Sequence, residues 1–242
     1  ITNHRIKDLV PKGLLNAETS TLLVNALYFK GIWYDEFDVE KTTKKNFYSS
    51  PDHTVEIDMM HMNENEMYYE NDQVQLLSLK YEHCSAKMII ILPKEKFGLK
   101  KVMDQLNGST LRRWISELDK KEVHMQIPKF KIEQSFNLNE SLRKLGLSLP
   151  FTDDADFSAM VEGTKIKISD VVHKAFIEVD EKGTEAAAAS FAKMVPCSLF
   201  ISNEGPKIFT ADHPFLFILK AGRYEQDQDT ILFMGKFYGR HH

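Results

Sequence analysis

The sequence has little cysteine, no long apolar run and no strong excess of one charge. Its 242 residues include only two cysteines, eight prolines and eleven glycines. Two cysteines are too few for a disulfide framework or a four-ligand zinc site. The longest apolar runs, residues 88–92 and 215–219, are far shorter than the roughly 20 residues that span a bilayer. The sequence therefore gives no membrane-spanning helix and no sign of a disulfide-stapled scaffold.

The composition is that of an ordinary globular protein. Lys and Arg total 31 and Asp and Glu total 35, which leaves a net charge of −4. With 43% hydrophobic and 27% charged residues, a disordered tail, a collagen-like repeat and a nucleic-acid-binding polycation are excluded. No internal repeat or Pro/Gly/Ser-rich linker is present, so we predict one domain over residues 1–242. The start, ITNHRIKDLV, reads as the middle of a longer chain.

Strand patterns predominate along the chain, with a few short helices between them. Alternating or continuously apolar segments predict strands, and spacings of three and four predict helices. Residues 21–29, apolar on both faces, are expected to form a buried strand, and residues 41–45 a solvated turn. Further strands are predicted at 55–62, 67–69, 74–80, 86–92, 122–130, 166–179, 214–220 and 230–237. Helices are predicted at 99–106, at 109–118 with Ser109 as its cap, and at 137–145 with Gly146 after it.

The sequence offers no familiar catalytic or metal-binding motif. It lacks a G-x-S-x-G elbow, an H-E-x-x-H pair, a phosphate loop and a dinucleotide fingerprint. Asp153, Asp154 and Asp156 lack the glycine and glutamate that a calcium loop needs. We therefore expect no metal and no cofactor, and the sequence does not support an enzyme.

The unusual segment is residues 181–200, EKGTEAAAASFAKMVPCSLF. Its four alanines favour a helix by propensity, and that alternative stays open. At the period of a strand, one face is small and uncharged, which suits a strand that slides into a crowded sheet. Gly183 gives a hinge before it, and Pro196 disfavours a helix after it. The small face would carry Thr184, Ala186, Ala188, Ser190 and Ala192, and the other face Glu185, Ala187, Ala189, Phe191 and Lys193.

Four separated motifs, in the same order, resemble the serpin family. The first, LVNALYFKGIW at 23–33, is similar to the central strand of the large serpin sheet. The second, at 173–189, resembles the proximal hinge. The third, FTADHPFLFIL at 209–219, resembles the family signature with Asp212, Pro214 and Phe215 in place. The fourth, TILFMGKF at 230–237, resembles the final strand.

The resemblance implies an α+β serpin fold, with a large mixed sheet A, sheets B and C, and surrounding helices. It also implies that the chain is the last three-fifths of a serpin, a single incomplete domain over 1–242 that lacks the N-terminal helical part. The reactive-centre loop would lie at about 181–200. The missing N-terminal fragment is then an expected partner, and we do not expect this piece alone to be a stable inhibitor.

The resemblance further implies a suicide inhibitor of a serine endopeptidase. The protease would form an acyl-enzyme with the cut loop, which then inserts as a strand and traps it. The family spacing puts the scissile bond at Cys197-Ser198, within an interval that also holds Met194, Val195 and Pro196. Cys197 favours a chymotrypsin- or elastase-like target; the alternative is a free surface thiol without a role. The other functions left open are a non-inhibitory carrier or chaperone and a cross-class inhibitor of a papain-like cysteine protease.

Residue roles also follow from the resemblance. The hinge would comprise Glu181, Gly183, Thr184, Glu185, Ala186, Ala187, Ala188, Ala189 and Ser190. Asn25 and His173 would form the shutter that holds the sheet closed, through a buried hydrogen bond. Trp33, Lys129 and Glu181 would form the breach, where insertion begins, with an ion pair between Lys129 and Glu181.

Location and accessory partners are less defined by the sequence. Two N-x-S sequons, at Asn107 and Asn139, favour an extracellular, secreted protein, although serpins without signals also occupy the cytoplasm. No nucleic-acid or membrane partner is expected. Nothing in the sequence decides whether glycosaminoglycan binds.

Overall fold

The computed structural model describes residues 6–17, 19–82, 85–161, 163–184, 205–221 and 230–239. In these residues strands predominate and helices are short. The strands are β1 (Leu22–Tyr28), β2 (Gly31–Ile32), β3 (Thr43–Ser50), β4 (His53–Glu70), β5 (Val74–Lys80), β6 (Ala86–Pro93), β7 (Asp119–Pro128), β8 (Phe130–Asn137), β9 (Asp170–Val179), β10 (Gly183–Thr184), β11 (Lys207–Thr210), β12 (Phe215–Ala221) and β13 (Thr230–Phe237). The helices are α1 (Leu99–Gln105), α2 (Gly108–Ser116) and α3 (Asn139–Lys144), with 3-10 turns at Val39–Lys41 and Leu149–Phe151.

The chain divides into two compact units, of which the first comprises residues 1–29 and 131–177. Its strands belong to a three-stranded sheet in the order β1-β9-β8. β1 and β9 are parallel and in register over seven residues, from Leu22 opposite Asp170 to Tyr28 opposite Phe176. The ring centroids of Tyr28, which is half-buried, and Phe176, which is buried, lie 5.9 Å apart, and this aromatic contact joins one end of the strand pair.

The second unit comprises residues 30–130 and 178–241. Its large sheet has the order β11-β7-β4-β5-β6-β12-β13, and β3 pairs with β4. One face of this sheet is covered by α1 and α2, whose apolar side chains pack on the strands. That burial contributes hydrophobic stabilisation to the unit. The buried residues of this core are Val74, Leu76, Ile89, Ile91, Leu99, Val102, Leu111, Trp114, Leu216 and Ile218.

Several predicted elements are confirmed. The 74–80 and 86–92 segments form antiparallel β5 and β6, and helices occupy the three predicted regions. Gly146 follows α3 with a φ of +95°, as a left-handed C-terminal cap should. The strands predicted at 122–130, 214–220 and 230–237 are present with small shifts.

Other details of the prediction are wrong. Residues 55–62 and 67–69 belong to one 18-residue strand, β4, because its neighbours change along its length while the backbone stays extended. Residues 43–45 begin β3 rather than a turn, and residues 166–169 precede β9 instead of extending it. The cap of α2 is Asn107, whose side chain accepts from the backbone N–H of Thr110, and not Ser109.

The predicted burial of β1 is also wrong for the described residues. Leu23, Val24 and Leu27 are 45%, 43% and 36% exposed. Within the described part of the chain, β1 lies at an edge of its sheet and pairs only with β9. An edge strand leaves one side of its backbone and much of its side-chain surface uncovered, so its apolar sequence does not by itself produce burial.

Candidate functional site

A tight turn follows β9 and brings the chain into β10. The backbone N–H and C=O groups of Asp180 and Gly183 are paired across it, at 2.9 and 3.2 Å. The carboxylate of Asp180 also accepts from the N–H of Lys182 at 2.9 Å. A short polar side chain that bonds its own turn in this way stabilises a chain reversal. The turn therefore sets the point from which the predicted reactive loop departs.

Gly183 is the residue that this geometry needs. Its φ is +139°, a conformation that side chains disfavour. β10 pairs antiparallel with β2, with Gly183 opposite Ile32 and Thr184 opposite Gly31. A Cβ atom at Gly183 would lie 2.2 Å from the carbonyl oxygen of Gly31. The backbones approach so closely that only glycine fits.

Trp33 lies beside the turn and is 2% exposed. Its indole N–H donates to the carbonyl of Asp180 at 2.9 Å, and its backbone N–H donates to Lys182. The indole stacks on the ring of Tyr81, with centroids 4.4 Å apart. Trp33 thus contacts the turn through both a polar and an apolar surface, as buried tryptophans commonly do.

Glu181 is buried within the turn, with 5% of its surface exposed. One carboxylate oxygen accepts from the hydroxyl of Thr42 at 2.8 Å, and the other lies 2.8 Å from the ammonium of Lys129. The ion pair that the family resemblance implied is therefore present. Burial pushes the pKa of Glu181 upward, but the bonds from Lys129 and Thr42 outweigh it and hold the pKa below its usual value.

Thr184, the last described residue of β10, is fully buried. Its hydroxyl lies 2.7 Å from that of Tyr81. We call the six side chains that surround and hold the turn the hinge cluster. The hinge cluster consists of Trp33, Thr42, Tyr81, Lys129, Glu181 and Thr184.

Two members of the hinge cluster have no signal in the sequence. Thr42 lies in the segment predicted to be a solvated turn, and Tyr81 directly follows the end of a predicted strand. Both matter only because the fold brings them to residues far along the chain. Periodicity, which reports on neighbours in sequence, could not find them.

A second buried carboxylate, Glu66 on β4, was also missed. It is 7% exposed, and its pKa is raised to about 7, first by burial and then by the negative charge of Asp35. Lys80 opposes that shift. Because the pKa of Glu66 is higher in the folded protein than its ordinary value of 4.5, protonation of Glu66 favours the folded state. This stabilisation is fully present below pH 4.5 and is lost as the pH rises through about 7. The contribution of Glu66 to the free energy of unfolding therefore changes with pH in the opposite direction to that of Glu181.

The predicted shutter residues are adjacent but not bonded. Asn25 lies directly opposite His173 in the β1–β9 register. Asn25 is exposed, and His173 stacks on Phe136 with ring centroids 6.2 Å apart. In the described residues, no hydrogen bond joins the side chains of Asn25 and His173. The expected buried hydrogen bond is therefore not found, because β1 at its sheet edge leaves Asn25 in contact with solvent.

The remaining predicted site residues lie outside the described residues. These are the hinge positions Glu185, Ala186, Ala187, Ala188, Ala189 and Ser190, the residues Met194, Val195 and Pro196, and the predicted scissile pair Cys197 and Ser198. Their assignments stay predictions. The described chain brackets them, with β10 ending at Thr184 and β11 beginning at Lys207.

The aspartates at 153–156 and the lysines at 94–101 include side chains that bond to other groups of the chain. Asp153 pairs with Lys167 at 2.7 Å, and Asp156 accepts from the backbone N–H of Ser158, as turn residues do. Among the described residues, no group of His, Cys, Asp and Glu side chains could hold a metal ion, and no helix there is long and apolar enough to cross a membrane. Each lysine of the 94–101 cluster lies near a carboxylate: Lys94 near Glu70, Lys96 near Asp212, Lys100 near Asp104 and Lys101 near Glu95.

Comparison with known proteins agrees with this architecture. The family model described as serpin (serine protease inhibitor) matches residues 1–239. Antichymotrypsin-2 of Bombyx mori is 36% identical over 98% of this chain and 62% of its own length. The leukocyte elastase inhibitor of Homo sapiens is 38% identical, with the same coverage of each chain. The crystal structure of human thyroxine-binding globulin matches with a TM-score of 0.83 and 28% identity, over all of this chain and 61% of that one.

The chain belongs to the serpin family. It has the serpin fold and spans about three-fifths of the length of these relatives. Two of these relatives are named as an antichymotrypsin and an elastase inhibitor, whereas the thyroxine-binding globulin structure is a complex with thyroxine.

Proposed function

We propose that the protein is a loop-inserting suicide inhibitor of a serine endopeptidase with chymotrypsin- or elastase-like specificity. In this proposal the protein is attacked as a substrate, keeps the protease covalently bound, and is not itself an enzyme. The observation that carries the proposal is the hinge cluster, which buries the start of the loop next to a run of small residues. Thr184 already occupies a fully buried position at the head of that run.

The described geometry suits strand insertion in two ways. β1 and β9 are parallel neighbours, and the turn at 180–183 reverses the chain after β9. We infer that the cut segment, once inserted, would run antiparallel to β9, because the turn reverses the direction of the chain between β9 and the inserted segment. Alanines at the inserted face bury without the cost of a charged or bulky group, so insertion can compete with release of the protease.

The chemistry follows from the predicted cleavage site. The protease serine would attack the carbonyl carbon of Cys197 and release Ser198 as the new amino terminus. Insertion of the cut loop would then move the acyl-enzyme away from the geometry needed for hydrolysis. The outcome depends on the rate of insertion relative to deacylation, and not on an equilibrium affinity.

The test uses full-length protein and matched arginine variants. We expect the wild type to form a covalent complex with chymotrypsin or elastase that survives denaturing electrophoresis. Ala188→Arg places a charge on the small face and should convert the inhibitor into a substrate, because that face must be buried. Ala187→Arg changes the opposite face and should retain most of the complex. Equal trapping by both variants would contradict insertion.

Thr184→Arg is a poor choice for the same test. Thr184 is buried and hydrogen bonded to Tyr81 before any cleavage. An arginine there would disturb the intact fold as well as insertion. Ala188 avoids that ambiguity because it lies further along the loop.

A non-inhibitory carrier is the second candidate, favoured by the structural likeness to thyroxine-binding globulin. Cleavage of the loop separates the two candidates, because insertion should raise the melting temperature markedly, whereas a loop that stays outside the sheet should not. The target class is tested in the same way with a papain-like cysteine protease. A covalent complex with that enzyme alone would favour cross-class inhibition.

The partners and location form part of the proposal. We propose a covalent acyl complex with the target protease, completion of the fold by an N-terminal segment, and secretion to the extracellular space. Mass spectrometry of the peptide released by a panel of proteases would fix the scissile bond and narrow the target.

A further inference from the structure

The chain contains two N-x-S sequons that the structure treats very differently. They begin at Asn107 and Asn139. N-linked glycosylation replaces one hydrogen of the side-chain amide nitrogen, Nδ2, with a bulky sugar. A folded protein can therefore carry the glycan only where Nδ2 is accessible and where the fold does not need both of its N–H groups.

Asn107 meets both conditions. It is exposed and precedes α2, where its Oδ1 accepts from the N–H of Thr110 at 2.9 Å and the hydroxyl of Ser109 at 2.6 Å. These bonds use the carbonyl oxygen alone. In the described part of the chain, no acceptor bonds Nδ2 of Asn107. A glycan on Nδ2 would thus leave the helix cap unchanged.

Asn139 fails both conditions. It is half-buried, and Nδ2 donates to the carbonyl of Ser169 at 2.8 Å and to the carboxylate of Asp170 at 3.2 Å. Its Oδ1 accepts from the N–H of Val171 at 2.9 Å. The side chain therefore ties the start of α3 to the start of β9. A sugar on Nδ2 would remove one donor and occupy the space where the acceptors lie.

We propose that the protein, when made in the secretory pathway, carries an N-linked glycan at Asn107 and none at Asn139. The donor is a lipid-pyrophosphate-linked oligosaccharide. Nδ2 attacks C1 of the first sugar, the C1–O bond breaks, and its electron pair leaves with the lipid pyrophosphate. The amide proton passes to a base of the transferase, and a C1–N bond remains. This inference stands on geometry separate from the hinge cluster and does not depend on protease inhibition.

The experiment expresses the full-length protein with a secretory leader in cultured insect or mammalian cells. Its peptides are then treated with a peptide-N-glycosidase in ¹⁸O-water, which hydrolyses the side-chain amide and converts each glycosylated asparagine to an ¹⁸O-labelled aspartate that mass spectrometry detects. We expect label at Asn107 in most molecules and none at Asn139. Label at Asn139, or an unoccupied Asn107, would overturn the proposal.

Two variants each remove the serine of one sequon and keep its asparagine, so that a lost glycan is not the result of a disturbed fold. Ser109→Ala removes the first sequon while it retains Asn107 as the cap, and it should abolish the glycan on this chain. Ser141→Ala removes the second sequon without changing the bonds of Asn139, and it should leave the glycan unchanged. If Ser141→Ala removes a glycan and Ser109→Ala does not, the assignment is reversed and the proposal is wrong.

Discussion

At the hinge cluster, the buried carboxylate of Glu181 and the buried hydroxyl of Thr184 both have partners, whereas along the β1–β9 pair the predicted shutter residues face one another without a hydrogen bond. Glu181 has two partners at 2.8 Å, while Asn25 is exposed. The difference shows that this chain supplies the partners of the buried polar groups at the start of the loop but not those of Asn25 on β1. The start of the loop is held by residues of the same unit, whereas β1 has an open edge in the described residues.

The largest expected effect comes from Gly183→Ala. A methyl group would meet backbone atoms of Gly31, Ile32 and Trp33 at 2.2 to 2.8 Å, at a φ of +139°. We expect a loss of more than about 3 kcal/mol in the free energy of unfolding, measured by urea denaturation of the full-length protein. Gly108→Ala is the control, because its site is open and should lose nothing. Equal urea midpoints for the two variants would show that the turn is not constrained.

An intermediate effect is expected for Lys129→Met, which keeps the apolar stem but removes the charge beside Glu181. The buried carboxylate loses its counter-ion, so we expect a loss of about 1–3 kcal/mol near neutral pH.

The pH dependence of that loss is a further part of the same prediction. The folded pKa of Glu181 is lowered, so its stabilisation is present above the unfolded pKa and disappears as the pH falls through the folded value. The gap between wild type and Lys129→Met should therefore narrow on acidification. Taking the difference between the two proteins removes the opposite contribution of Glu66. A gap that stays constant to low pH would argue against the ion pair.

The smallest effect is expected for Asn25→Ala in the chain described by the structure. An exposed side chain without a bond to His173 should contribute less than about 0.5 kcal/mol. Val172→Ala on neighbouring β9 is the comparison, since Val172 is 2% exposed and should cost about 1–2 kcal/mol. Urea midpoints measure both. A loss above about 1 kcal/mol for Asn25→Ala in a longer form of the protein would show that Asn25 acquires partners outside this chain.

Part of the site could be predicted because its signals are local. The special backbone role of Gly183 follows from its lack of a side chain, and the Lys129–Glu181 pair followed from the family resemblance. Thr42 and Tyr81 could not be found, because their roles arise from contacts with Glu181 and Thr184 far along the chain. The predicted burial of β1 failed for a related reason: apolar residues on both faces predict a strand, but the neighbouring elements decide how much of that strand is covered.

The sequence by itself determined the strand-rich architecture, since periodicity and residue types with strong backbone preferences predict strands, and its motifs pointed to the serpin family by resemblance. Only the tertiary structure decided which polar groups are satisfied. A hydroxyl, a carboxylate or an amide has the same chemistry wherever it stands in sequence, and its contribution depends on the partner that folding brings within 3 Å or so. Asn107 and Asn139 illustrate this most directly, because the same sequon is open in one place and fully bonded in the other.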